Sequence, residues 1–558
     1  MTYRADSSTA ASEPLDAVVI GAGFAGLYMV YRLREDGFSV RGFEQGDGVG
    51  GTWYWNRYPG ARCDSEIMWY SFSFLSDLEQ EWPLAERYPG QPEILRYLEH
   101  VAGRLDLYKN FTFGARVTEI AYDEAAGLWT VRAEQSSRGG TTPPTIDTVT
   151  AKYVVTAVGC LSAANRPAFP GADRFGGLSL HTGAWPHEPV DLAGKRVGVI
   201  GTGASGIQAI PVIAEQAAHL TVFQRTAQFT IPAENGALDE QFVSLFKLNY
   251  PEWRRRARES RGGIPTAGST ASALEVSADE RRAAFEAAWG AGGFGFTFGT
   301  FMDLLTSEDA NETAADFVRS KIDQIVRDPE VADMLKPRSY PFGTKRLPLD
   351  TNYYQTFNRP NVTLVDLRRT PVEEITPAGI RTGGGHHDLD VIVYATGFDA
   401  LTGPLEALGI RGRGGRSLGE AWRDGPRTYL GLSVPGFPNL FTITGPGSPS
   451  VLTNMPVAIE QHVEWIGDCL HHLRANAVDT IEAIEPATAA WTDHVQEVAS
   501  RTLYPKAASW YMGANIPGKP RLFLPYVGGL GSYRKKCEEV AASGYAGFDL
   551  SGAPAMRS

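Results

Sequence analysis

A chain of 558 residues is long enough for about three domains with well-buried cores. Its 52 basic and 64 acidic residues leave a net charge of -12, which argues against a general nucleic-acid or anionic-membrane surface. The expected partners are small molecules, with no nucleic acid and no membrane, on a monomer or weak homo-oligomer. Residues 1–14 are polar and lack the apolar core of a secretory signal, and no apolar run approaches membrane-spanning length. A cytoplasmic protein with a flexible segment at 1–14 is expected. Cys63, Cys160, Cys469 and Cys537 are scattered, so neither a disulfide scaffold nor a metal site is suggested.

In chain order, Asp16-Ala17-Val18-Val19-Ile20 is a buried-strand run, followed at once by Gly21-Ala22-Gly23-Phe24-Ala25-Gly26 and a helical pattern over 27–34. Gly21 permits the tight turn, Gly23 lets the backbone approach a pyrophosphate, and Gly26 lets the helix pack on the strand. Glu44 ends the next strand, 39–43, where a carboxylate accepts hydrogen bonds from a ribose diol. The aromatic and glycine-rich stretch 48–64 follows, then an amphipathic helix over 91–105. A strand-rich stretch begins at Val117, and a strand over 153–159 ends in Ala157-Val158-Gly159.

A second signature opens at Gly201-Thr202-Gly203-Ala204-Ser205-Gly206-Ile207-Gln208 after the strand 196–200. Two signatures imply two nucleotides. The next strand, 221–223, ends in Gln224-Arg225-Thr226, where an NAD enzyme carries an acid. An arginine pairs with a 2′-phosphate that an acid would repel, so the second nucleotide is expected to be NADP. Residues 233–333 turn helical, with helices expected at 278–289 and 316–327. The aromatic loop 292–299 between them either borders a channel or packs a core. The basic run Arg254-Arg255-Arg256-Ala257-Arg258 reads as a solvated helix face. Asp390 to Phe398 carries a full Ala-Thr-Gly strand, expected to return the chain to the first domain. The fold class is therefore α/β, with two Rossmann-like dinucleotide-binding domains and a helical insertion in the second.

Between the two signatures lies Phe175-Gly176-Gly177-Leu178-Ser179-Leu180-His181-Thr182-Gly183-Ala184-Trp185-Pro186, too glycine-rich for a helix and suited to a hinge or linker. This stretch resembles the fingerprint of type I Baeyer–Villiger monooxygenases, class B flavoprotein monooxygenases: Phe-x-Gly, three residues, His, three residues, Trp, then Pro or Asp. Phe175, Gly177, His181, Trp185 and Pro186 fill every specified place. Sister flavin N-oxygenating enzymes usually end in an aromatic and a basic residue, so Trp185-Pro186 favours the Baeyer–Villiger branch. The resemblance runs from about residue 15 to about 550, and phenylacetone and steroid monooxygenases look closest.

The resemblance implies an FAD-binding domain over 15–158 and 391–558, an NADP-binding domain over 159–232 and 336–390, a helical insertion over 233–335, and a mobile control loop near 505–520. FAD would be touched by Gly21, Gly23, Phe24, Gly26 and Glu44 of the first signature. Gly51, Thr52, Trp53, Tyr58, Arg62, Cys63 and Asp64 of the following segments would line it, with Tyr70, Val117 and Met455. The NADP(H) set would be Thr202, Gly203, Ala204, Ser205, Gly206, Gln208, Arg225 and Thr226, with Lys345 and Arg346.

A flavin beside a nicotinamide passes hydride from NADPH to FAD, and the question becomes which acceptor takes the electrons. A disulfide acceptor needs a cysteine pair near the flavin, and residues 45–70 hold only Cys63. Quinone and ferredoxin reductases stay possible on this architecture, but their function does not call for the central fingerprint. Molecular oxygen is favoured. The resemblance implies a C4a-peroxyflavin that attacks a ketone, giving an ester or lactone; the alternative is N- or S-oxygenation of amines or sulfides. Such a site must stabilise two negative charges in turn, and Arg346, oriented by Asp64, is the expected fixed cation. Trp510 is expected to close over nicotinamide ribose and substrate, and His181 to position the linker.

Overall fold

The computed structural model describes residues 13–135 and 144–551; most of the expected flexible segment 1–14 lies outside them. In the strand Leu15–Ile20, Ala17, Val18, Val19 and Ile20 are apolar and buried on both faces, the mark of a central parallel strand. It runs parallel to Val40–Phe43 on one side and to Thr145–Thr156 on the other. Phe111–Thr112 extends one edge, while Ala115–Asp123 and Leu128–Gln135 form an antiparallel meander on the other. Two late strands, Ile410–Arg411 and Leu440–Thr442, complete this eight-stranded sheet.

The second sheet has five parallel strands in the order Val362–Asp366, His219–Gln224, Arg196–Ile200, Val391–Tyr394, Leu178–His181. Two expectations change here. The fingerprint is not only a linker, because Leu178–His181 pairs along Val391–Tyr394 as an edge strand. Gly177 is required by that pairing, since a Cβ there would lie 2.3 Å from the Asp390 carbonyl oxygen. The expected return to the first domain at 391 also moves. Val391–Tyr394 sits inside the second sheet, so the crossing follows Gly397 rather than preceding the strand.

Between the second sheet's strands His219–Gln224 and Val362–Asp366 in sequence lies the expected helical stretch, with helices Glu240–Leu248, Tyr250–Glu259, Ala278–Ala291, Glu308–Ile325 and Pro329–Leu335. The helix expected at 316–327 starts eight residues earlier, capped by Ser307, whose hydroxyl accepts from the Ala310 N–H. The basic run also departs from expectation. Arg255 and Arg256 are solvated and pair with Glu252 and Glu259, but Arg254 is buried against Glu79 at 2.6 Å and Ser71 at 2.7 Å. Helical phase explains this: Tyr250, Arg254 and Ala257 share the inward face. Among the described residues no helix is long and apolar enough to cross a membrane.

Candidate active site

The two glycine signatures fold alike. Phe24–Glu35 and Ala204–Gln216 each start at a glycine, Gly23 and Gly203, that offers no side-chain cap, so the first N–H groups remain available to an anion. Gly26 and Gly206 meet the strand ends so closely that a Cβ would lie 1.8 Å and 2.4 Å from the Gly21 and Gly201 carbonyl oxygens. Beside the first signature, the loop before Thr52–Trp55 brings Gly51 against Gly23, where a Cβ on Gly51 would approach the Gly23 Cα to 2.8 Å. Only backbone fits there. Glu44 is buried, and its two oxygens accept the Ala22 and Gly46 N–H groups, each at 2.7 Å.

The two halves touch through the second-signature helix. Gln208 accepts from the Tyr58 hydroxyl at 2.7 Å and donates to the Arg62 carbonyl at 3.0 Å. Arg62 itself is turned toward Glu86 and the Tyr88 carbonyl. Gly60 is packed so tightly on this helix that a Cβ would lie 2.3 Å from the Gln208 carbonyl oxygen.

Arg346 and Asp64, 282 positions apart, form a two-pronged ion pair: Nε donates to Oδ2 at 3.0 Å and Nη2 to Oδ1 at 2.5 Å. The ring of Phe294, from the aromatic loop, covers the guanidinium with 5.2 Å from Cζ to its centroid. Burial works against the charge, but Asp64 and then Tyr511 outweigh it and hold the Arg346 pKa above its ordinary value. Cys63, next to Asp64, is pushed well up by burial and then by that carboxylate, so it stays a thiol.

Lys345 behaves differently. Its ammonium lies over the Tyr340 ring at 4.3 Å, and burial, followed by repulsion from Arg225, lowers its pKa to about 8. Among the described residues neither Lys345 nor Arg225 has an ion-pair partner. Two neighbouring cations without a counter-ion fit a phosphate.

A family description, flavin-binding monooxygenase-like, matches residues 16–236. A Baeyer–Villiger monooxygenase of Pseudooceanicola batsensis is 45% identical over 548 residues, covering 98% of each chain. The chain belongs to the Baeyer–Villiger monooxygenases. The solved structure of an oxidised steroid monooxygenase bound to NADP has a TM-score of 0.90 at 52% identity, covering 97% of this chain and all of that one. A phenazine N-monooxygenase of Lysobacter antibioticus is 44% identical over 542 residues, covering 97% of each chain.

In this monooxygenase His181 is fully buried at the end of the fingerprint strand. Its Nδ1 accepts the Gly183 N–H at 2.9 Å, which places the ring proton on Nε2, facing the Asn165 carbonyl at 3.3 Å and the Thr396 hydroxyl at 3.4 Å. Burial lowers its pKa, so the ring is neutral near pH 7. Trp185 packs into the core of the second sheet. Trp510 and Met455 lie together on an apolar cluster that includes Cys160, Val451 and Tyr511, and Met455 opens the helix Met455–Ala475. Tyr70 meets Phe24 edge-on at 5.3 Å and accepts the Trp53 indole N–H at 3.2 Å, while Val117 is buried in the meander. One neighbour of Arg346 was left open by the sequence: Phe294, whose aromatic loop allowed either packing or a channel.

Proposed function

We propose that this chain binds FAD on the first signature and NADPH on the second, and inserts one oxygen atom of O2 beside the carbonyl of a ketone. The other oxygen leaves as water, and the product is an ester or lactone. The observation that carries this reading is the Arg346–Asp64 pair, a permanent cation held by two bonds from a carboxylate on the first domain's glycine-rich segment. When bound, the flavin supplies the electrons taken from NADPH and the chemistry that activates O2. The protein's own groups do the rest. The glycine cradles and uncapped helix starts take the pyrophosphates, and Glu44 takes a ribose. Arg225 and Lys345 take the 2′-phosphate, which neutralises the repulsion between them. Arg346 stabilises negative charge, first on the reduced dioxygen and then on the carbonyl oxygen as the carbonyl carbon becomes tetrahedral. Arginine suits that task because it does not give up its proton. Neutral His181 holds the fingerprint strand to the Asn165 turn and neither accepts nor donates a proton in the reaction. The cytoplasm, where NADPH is kept reduced, is the compartment this implies.

The N-oxygenating relative favours a second reading, oxygen transfer to a ring nitrogen at the same site. Both are tested in one assay. Purified yellow protein is given NADPH and a size-graded panel of ketones, a heteroaromatic amine and a thioether, with NADPH, O2 and product measured together. Ester formed in equal amount to NADPH consumed supports the ketone reading. N-oxide or sulfoxide alone replaces it with the second, and hydrogen peroxide alone with every compound overturns both.

A further inference from the structure

One stretch of backbone behind the site is bent against its own preference. Thr444 and Ser450 have φ of 57° and 45°, and Leu430 on the adjoining segment has 58°. These are left-handed angles that favour glycine, and a β-branched threonine adopts them only under constraint. The two segments nest at backbone distance: a Cβ on Gly445 would lie 2.5 Å from the Gly431 carbonyl oxygen, and one on Gly431 would lie 2.6 Å from the Ser448 nitrogen. The arch 444–450 then delivers Val451, whose carbonyl accepts from Arg346 Nη1 at 3.4 Å.

Two buried side chains hold this shape. His462, on the helix Met455–Ala475, is fully buried, and its Nδ1 accepts the Thr444 N–H at 2.9 Å. The ring proton is therefore on Nε2, which donates to the Tyr533 hydroxyl at 2.9 Å. Tyr533, on the helix Leu530–Ala542, donates in turn to the Leu430 carbonyl at 2.6 Å. One imidazole thus ties two left-handed positions together. Burial lowers its pKa to about 3, so near neutral pH the Nδ1 lone pair stays free to accept. The second hold is Cys160, whose Sγ lies 3.3 Å from the Thr444 hydroxyl and 2.9 Å from the Ser450 hydroxyl. It touches both strained ends, and burial keeps it a thiol.

We propose that His462 and Cys160 are positioning residues that keep the arch 444–450 strained and so lay the Val451 carbonyl against the Arg346 guanidinium. Strain of this kind persists only where the surroundings over-determine it. Asp64 fixes Nε and Nη2 of Arg346, and the Val451 carbonyl fixes Nη1. Released, the arch relaxes toward negative φ and withdraws that carbonyl, leaving the guanidinium free to swing on its pair with Asp64. The proposal rests on the role given to Arg346 above, and it concerns orientation rather than charge.

The test uses holoenzyme with His462→Asn, His462→Gln, Cys160→Ser and Cys160→Ala. Asparagine can keep an acceptor near the place of Nδ1, and serine a donor near that of Sγ; glutamine and alanine cannot. Ester formed per NADPH oxidised, thermal melting and crystal structures with both cofactors bound are compared. His462→Gln and Cys160→Ala should show the Val451 carbonyl withdrawn from Arg346 and an ester ratio about ten-fold or more below the parent, since a displacement of about 1 Å costs up to about 10²-fold. His462→Asn and Cys160→Ser should stay near the parental ratio, although both His462 variants melt lower because each empties the place of a buried ring. A merely structural role would lower the melting temperature and leave the ester ratio unchanged in all four, which overturns the proposal. So does a loss in His462→Asn or Cys160→Ser equal to that of its counterpart, or an unmoved Val451 carbonyl in Cys160→Ala, the mildest change and the deciding one if His462→Gln does not fold. If the parent makes no ester at all, the reading of the reaction fails by itself, and the place of the Val451 carbonyl in the variants still decides what holds the arch.

Discussion

At the scale of single residues, the charges around the second signature carry the clearest prediction. Lys345 has a pKa of about 8, lowered first by burial and then by Arg225. A phosphate favours its charged form, so coenzyme binding should take up a proton above that pH. We expect the affinity for NADP+ to be flat below pH 8 and to fall as pH rises through 8 toward 10. Lys345→Met should bind about tenfold or more weakly at pH 7, in line with the loss of a charge-assisted hydrogen bond, and with little pH dependence. Titration calorimetry at pH 7, 8 and 9 reads this directly; a parent affinity unchanged across that range would remove Lys345 from the phosphate site. The sign for stability is opposite to that of a paired lysine. Without coenzyme, the buried charge costs stability below about pH 8, and this cost fades as pH rises from there through the ordinary lysine range. The pair Arg346–Asp64 and the cations Arg225 and Lys345 were legible in sequence because each sits at a fixed place in a motif. Phe294 was not, since its place over the Arg346 guanidinium comes from a neighbour that only folding supplies.

At the scale of elements, the helix Tyr250–Glu259 shows where pattern reading stops. Four arginines within five residues look equivalent in sequence, yet helical phase buries one and solvates its neighbours. Arg254→Ala should destabilise the protein by about 3–5 kcal/mol, because Glu79 is left buried without its partner. Arg255→Ala should cost about 1 kcal/mol or less, because its pairs with Glu252 and Glu259 are exposed. Thermal melting of the two variants separates them; equal melting temperatures would mean that the Arg254–Glu79 pair adds nothing. The fingerprint gives a second example. Its glycines suggested a linker, but Gly177 is small because the Asp390 carbonyl lies against it, and the strand that follows pairs with Val391–Tyr394, distant in sequence. Local composition could not reveal that partner.

At the scale of the whole molecule, two complete signatures were enough to foresee two dinucleotide domains, and the helical stretch inserted in the second was legible from its periodicity. What brings the two sites face to face was not. Tyr58, Gly60 and Arg62 reach across to Gln208 through contacts that no spacing rule encodes. The crossing after Gly397 likewise depends on which sheet accepts Val391–Tyr394. This arrangement places a cation from one half against a carboxylate from the other, and the proposed oxygen transfer depends on that cation. The most direct measurement is therefore made on Arg346→Ala holoenzyme with NADPH and a ketone that the parent accepts, recording ester, hydrogen peroxide and NADPH consumed. We expect NADPH oxidation to continue with its oxygen appearing as hydrogen peroxide, and ester formation to fall by about 10²–10³-fold, the usual loss when an oxyanion-stabilising group is removed. Ester formed at the parental ratio to NADPH would contradict the role assigned to Arg346.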